Sequence, residues 1–383
     1  MWPTTTSCEH RVPQPTDITH NINAMNNIHH TPILTRQQCS ALRGIAIIGI
    51  VLHNYCHWLG LAVKENEYTF TFANCRRLLE VTFSPDINYP VHLLSFFGHY
   101  GVPIFLFLSA YGLVLKYEAA DKPVAPSPSA WRFVRYHFLK LFKMMIVGYV
   151  AFTMVDAITP KPFHYTVADI LSQLGMFNNL RPDPDHVIWP GPYWFFGLML
   201  QTYIVYRLLL YRRGWLPAVL LMAACWAVQA VCDPEGDALN RLRYNFIGGI
   251  MPFVAGLFVA RYGRDLSRQT WLSVLVVATV AVVVTSFSYQ LWFWTPLFVC
   301  AAAVALVKNL PTAVLTTLDW VGGISAAMFV MHPITRKIFI PISRAGDVYA
   351  GLLFYIISTI ALAWLCRDLL RKIPSPHLDK PAQ

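Results

Sequence analysis

The sequence predicts an all-α polytopic membrane protein of about ten transmembrane helices, and three observations carry that prediction. Of 383 residues, 56% are hydrophobic and only 13% are charged, where a soluble domain has about a quarter charged residues. The mean hydropathy of +0.45 is more apolar side chain than a water-soluble core encloses. Apolar stretches also recur at roughly the 20-residue length that carries a helix across a hydrocarbon core. The alternating pattern of a membrane β-barrel is absent.

Residues 1–34 are polar and aperiodic, and read as a disordered cytoplasmic tail. They show no basic run leading into an apolar one, so they do not read as a cleaved signal peptide. A membrane domain follows over 35–371, with a short cytoplasmic tail over 372–383. Its first span, 38–60, opens on Thr35 and Gln38, spaced as a capping box. The second, 90–115, carries Gly98, Gly101, Ser109, Ala110 and Gly112, small enough for close helix contact. Further spans are expected at 138–158, 192–211, 216–232, 246–261, 270–286, 290–307, 320–340 and 348–367. Pro103, Pro252, Pro296 and Pro333 fall inside them, which membrane helices tolerate when neighbours pair the freed backbone groups. Two long loops, 61–89 and 159–191, share one face, and the first holds a short helix in "NCRRLLEVTF".

The net charge of +10 does not point to nucleic acid, because the basic residues lie between apolar runs and form no single stripe. With the N-terminus in the cytoplasm, 16 Lys and Arg fall inside and 8 outside, the bias that orients membrane proteins. Both termini are then cytoplasmic, in an inner or plasma membrane. The eight cysteines form no CxxC pattern.

Ionisable groups at membrane depth are expensive and point to function. The first span has Arg43 early and His53, Asn54 and His57 late, with the two histidines four apart on one face. His92 and His99 recur at a separation of seven in the second span. His99 beside the first pair would gather three imidazoles. No HExxH or carboxylate accompanies them, so no metal is expected.

The pieces "ALRGIAIIGIVLHNYCHW", "GVPIFLFLSAYGLVLKYE", "WRFVRYHFLKLFKMM", "GPYWFFGLMLQTYIVYRLLL" and "FVMHPI" follow one another in order from the first span to the ninth. In that order and spacing they resemble acyltransferase family 3, the membrane O-acyltransferases of the O-antigen and exopolysaccharide acetylase type. The resemblance implies an integral membrane enzyme. It would move an acyl group, usually acetyl from acyl-CoA, to a hydroxyl of a cell-surface glycan or lipid-linked sugar. It also implies an arginine and a histidine on the first helix with ten residues between them, which here are Arg43 and His53. The spacing departs from the pattern: nine residues intervene, leaving the two about 80° apart around the helix. Asn54 holds the in-register position and is no base. A bulge near Gly49 would restore register; otherwise His57 takes the role.

Acyl transfer to a hydroxyl needs a base, and imidazole supplies one near neutral pH. His53 is the first candidate and His57 the second. No GxSxG elbow marks a nucleophile. Arg132, Arg135, Lys140 and Lys143 form a basic face suited to the phosphates of acyl-CoA (acetyl-CoA), a cosubstrate and not a bound cofactor; lipid headgroups account for the same charges. His99, Tyr193, Trp194, Gln201, Arg243 and His332 are the candidate acceptor-side residues. The expected partners are acyl-CoA, the glycan or lipid-linked sugar and membrane lipids, with no nucleic acid. The competing reading is a transporter or flippase of a glycan or lipid precursor. Acidic residues are missing from nearly every span, and matched broken halves are not seen.

Overall fold

A computed structural model of the chain describes residues 32–118 and 128–377. Most of the two expected tails therefore lies outside the described residues. Among those described, every regular element is helical.

The first helix, α1 (Arg36–Cys56), begins where expected: Thr35 Oγ1 accepts from the Gln38 amide and the Gln38 side chain accepts from the Thr35 amide. The loop after it carries the short α2 (Phe72–Phe83), as the sequence indicated. The second span is not one helix. α3 (Tyr89–Phe97) passes through a tight 3-10 turn over Gly98–Tyr100 into α4 (Gly101–Tyr117). The glycines explain the close fit: a Cβ on Gly98 would lie 2.6 Å from the Cβ of His53 and 2.7 Å from the Gly49 carbonyl oxygen. The turn separates the two histidines expected on one face. His92 accepts from the Val63 amide at 3.3 Å, whereas His99 turns toward His53.

The third span, α5 (Ala130–Ile158), starts eight residues before its apolar stretch, capped by Ser129. The loop beyond it holds α6 (Val167–Leu174) and α7 (Pro184–Val187). The fourth, α8 (Trp194–Val205), continues as a wider π turn over Tyr206–Leu210. α9 (Trp215–Ala230), α10 (Asp237–Arg243), α11 (Phe246–Tyr262) and α12 (Arg268–Ser286) follow. The short α13 (Tyr289–Trp292) precedes α14 (Thr295–Asn309), α15 (Thr312–Arg344) and α16 (Val348–Lys372). α15 runs unbroken through Pro333 and Pro341.

Helices thus stand at all ten expected places, and six spans are long and apolar enough to cross a membrane. α10 and α11 would make a seventh if their 41° bend is one broken crossing; α9 and α14 are apolar but shorter. α1 lies at the centre, packed along α15 and against α3 and α4. Its contact with α15 is backbone-close, since a Cβ on Gly322 would collide with the Ser40 carbonyl. Small residues at such crossings are how membrane helices gain packing when lipid offers no hydrophobic drive. The cysteines among the described residues are free thiols, Cys75 buried in α2 included.

Candidate active site

Two cavities open at opposite ends of α1. The first, about 260 Å³, gathers His53, His57 and His99. The ring centroids of His53 and His57 lie 5.0 Å apart, and those of His53 and His99 lie 5.6 Å apart. The three imidazoles expected from sequence do meet. His53 is buried, and its Nδ1 lies 2.8 Å from the Ser95 carbonyl oxygen. A carbonyl only accepts, so Nδ1 donates and the neutral ring keeps its lone pair on Nε2.

Two carboxylates that sequence reasoning missed complete the group. The loop after α1 folds back so that Glu65 Oε1 meets His57 Nδ1 at 3.1 Å, and Glu67 Oε2 stands 3.7 Å from His53 Nε2. Burial drives the Glu65 carboxyl upward, but the charge and hydrogen bond of His57, with His53 behind, bring it below its ordinary range. Burial, reinforced by the Glu65 charge, pushes Glu67 up to about 8 against the pull of Arg243. At neutral pH Glu67 is then a protonated acid, so its approach to His53 is a polar contact and not an ion pair. The histidines, expected from the sequence to lack a carboxylate, thus gain two through this fold-back. His53, His57 and Glu65 present ligand atoms within 4.8 Å of one another, a set that suits a metal ion as well as it suits proton transfer. The only hint in sequence was nearness: "KENEY" begins seven residues after His57.

The cavity wall is aromatic. Trp58, Trp189, Trp194 and Tyr68 line it, with Tyr68 stacked on Tyr244 at 3.9 Å. Arg336 lines it as well, bonded to Asn54. Trp194 is the one expected acceptor-side residue besides His99 on this wall. Tyr193 is wholly buried and donates to the Val330 carbonyl at 2.9 Å. Gln201 clasps Asn179 and the Phe246 amide, a helix-to-loop tie. Arg243 donates to the Glu67 carbonyl at 3.0 Å, lies over Trp292 and lines a small side chamber that shares His99 and Glu67. His332 is buried behind Phe329, its Nδ1 on the Met328 carbonyl.

The second cavity, about 380 Å³, holds Arg43, Ser109, Lys116, His137, Lys140 and Tyr203. Arg43 and His53 therefore line different chambers, ten residues and about 15 Å apart along α1. No bulge restores their register, because α1 is regular through Gly49; among the described residues the π turn is at Tyr206–Leu210. Lys140 and Met144 also line an adjoining groove with Lys143, Arg367 and Arg371. Lys143 donates to the Ile373 carbonyl at 2.6 Å and the Ser375 hydroxyl at 3.2 Å. Arg132 and Arg135, exposed on the same helix, line neither the Arg43 chamber nor the groove. Only Phe195 and Phe329 are common to the walls of the two main cavities, and their rings stand 5.3 Å apart.

No curated protein and no solved structure matches the chain. A family model described as an acyltransferase domain matches residues 39–368, from the start of α1 to the last turns of α16. With its apolar helices and near-complete match, the chain belongs to acyltransferase family 3 and is a membrane acyltransferase.

Proposed function

We propose that the protein transfers acetyl from acetyl-CoA to a hydroxyl of a cell-surface glycan or lipid-linked sugar, with His53 as general base. The observation that carries this reading is the tautomer of His53, whose Nδ1 is committed to Ser95 and whose Nε2 is left with the lone pair beside the cavity. The acceptor hydroxyl gives its proton to Nε2 as its oxygen bonds to the thioester carbonyl carbon. The C–S bond then breaks, and the CoA sulfur leaves as a thiol carrying the proton from His53. Glu65, held by His57 at 3.1 Å, is the negative charge that stabilises His53 once it carries the proton, while Glu67, 3.7 Å from Nε2, stands outside hydrogen-bond reach and leaves the lone pair open.

The donor comes from the other end of α1. Lys140, Lys143, Arg367 and Arg371 form a basic groove suited to the phosphates of CoA, and the groove adjoins the chamber of Arg43. The pantetheine arm runs through that chamber, and the Phe195–Phe329 pair parts to admit the acetyl group. Aromatic faces around the histidines suit the apolar side of a sugar ring. The proposed setting is an inner or plasma membrane with both termini cytoplasmic. Ten crossings then arise from the six long spans, the bent pair α10–α11, the shorter α9 and α14, and α8 with its π turn.

The test is transfer of radiolabelled acetyl from acetyl-CoA to cell-envelope polysaccharide, comparing wild type with His53→Ala at matched membrane expression. Loss of a general base is expected to lower the label by about 10²–10⁴-fold. Label persisting in His53→Ala would move the base to His57, and a wild type that transfers no label would remove acetyl-CoA as donor.

A further inference from the structure

Arg336, one turn beyond His332 on α15, is 4% exposed and lines the histidine cavity. Its Nη1 donates to the backbone oxygen of Asn54 at 3.4 Å and to its Oδ1 at 3.3 Å, both neutral acceptors at the long end of hydrogen bonding. The guanidinium lies over the Trp58 ring at 5.0 Å. Among the described residues no carboxylate pairs with it, and its other N–H groups meet no protein acceptor. Two other cations of this fold do have carboxylate partners. Arg261 is held by Glu118 at 2.8 Å, and Lys337, the next residue, meets Asp156 at 2.8 Å.

A guanidinium taken out of water without a counter-charge is costly, so its retention asks for a partner. The carboxylates of the cavity are occupied elsewhere: Glu65 by His57, Glu67 beside His53, and Asp185 by the Tyr244 hydroxyl and Asn240. The planar fork of arginine matches a carboxylate or a phosphate with two parallel hydrogen bonds. Asn54, which Arg336 touches, is the residue after His53 on α1, so a group held by Arg336 is brought alongside the base.

Building on the acceptor reading of this cavity, we propose that Arg336 is an anion-recognition residue. The acceptor carries a carboxylate or phosphate that Arg336 binds with its free N–H groups, while Trp58 covers the face of the guanidinium. The neighbouring hydroxyl is thereby presented to His53.

The test measures binding to the full-length protein in detergent micelles with no acyl donor present, read by tryptophan emission because Trp58 borders the site. Glucuronate, glucose 1-phosphate and glucose are titrated separately. At least one anionic sugar is expected to saturate at a concentration about 10-fold or more below that of glucose, the discrimination of one charge-assisted pair. Whichever anion binds better names the acceptor group as carboxylate or phosphate. Arg336→Gln is expected to abolish the preference and leave glucose unaffected. Should that variant not fold, Arg336→Lys keeps the charge but loses the fork, and is expected to weaken the anionic sugar several-fold. Equal titration of all three sugars by wild type, no response to either anion, or a preference that Arg336→Gln keeps or Arg336→Lys leaves undiminished would overturn the proposal. Since no donor is present, a failure of acetyl transfer would leave this result standing, and the reverse also holds.

Discussion

The Ser95 carbonyl decides what His53 can do. A ring held at Nδ1 by an acceptor is a ready base at Nε2, whereas one held by a donor would offer the wrong nitrogen. Glu67 is the second residue whose state follows from its surroundings. It keeps a proton to about pH 8, where the unfolded chain releases it near 4.5. Between those values the unfolded state binds fewer protons, so the contribution of Glu67 to stability declines as pH rises toward 8 and then levels. Thermal unfolding of the purified protein from about pH 5 to about pH 8 should therefore show a falling midpoint. Glu67→Gln, which cannot ionise, should flatten that fall and raise the midpoint at the alkaline end. An equally steep decline in the variant would mean that Glu67 is ionised in the folded protein. Arg43 and His53 were legible as residues because an ionisable group inside an apolar run stands out. Glu65 and Glu67 were not, because they sit in a polar loop where acids are ordinary; only the return of that loop onto α1 gives them partners.

Helix α1 shows how far periodicity reaches. Its start, its cap and the shared face of His53 and His57 follow from the sequence, and the 80° between Arg43 and His53 is kept because the helix is regular. The second span was less legible. Its hydropathy is continuous across Gly98, so nothing in composition separates α3 from α4, and the turn is set by close approach to α1. That approach can be tested with one methyl group. Gly98→Ala places a Cβ 2.6 Å from that of His53 and 2.7 Å from a backbone oxygen, and something must shift. Such overpacking costs about 1–3 kcal/mol, so a lower unfolding midpoint is expected, with acetyl transfer reduced further because His53 itself is pushed. Gly60→Ala, with nothing within 4 Å of the added carbon, is the control and should leave both unchanged. If Gly98→Ala behaves like the control, the helices are not as tightly apposed as described. The π turn at Tyr206–Leu210 was equally hidden, since residues that widen a helix carry no pattern of their own.

Across the whole molecule, the proposed topology puts the histidine cavity outside and the basic groove in the cytoplasm, at opposite ends of α1. Single cysteines in a cysteine-depleted background check it. A membrane-impermeant maleimide added to intact cells should label Ser84→Cys, in the loop before α3, and should miss Arg264→Cys, in the loop after α11, until the membrane is opened. Labelling of both from outside, or of Arg264→Cys alone, would reverse or break the topology. Composition and spacing carried the helical segments and the membrane character, because each apolar run must satisfy its own backbone. The division of the interior into two chambers was not legible, because it depends on which side chains of α8 and α15 face each other.

That division has an electrical consequence. A donor entering from one face and an acceptor from the other imply two wet vestibules in series, and a membrane that stores energy as a proton gradient cannot tolerate an open path between them. The Phe195 and Phe329 rings, 5.3 Å apart, are then also the insulation of the membrane at this point. Trimming Phe329 to alanine should show first as a leak: faster collapse of an imposed pH difference across proteoliposomes carrying a trapped pH dye, whether or not any acetyl group is transferred. A pH difference that collapses no faster with Phe329→Ala than with wild type would mean that the two rings do not close this path.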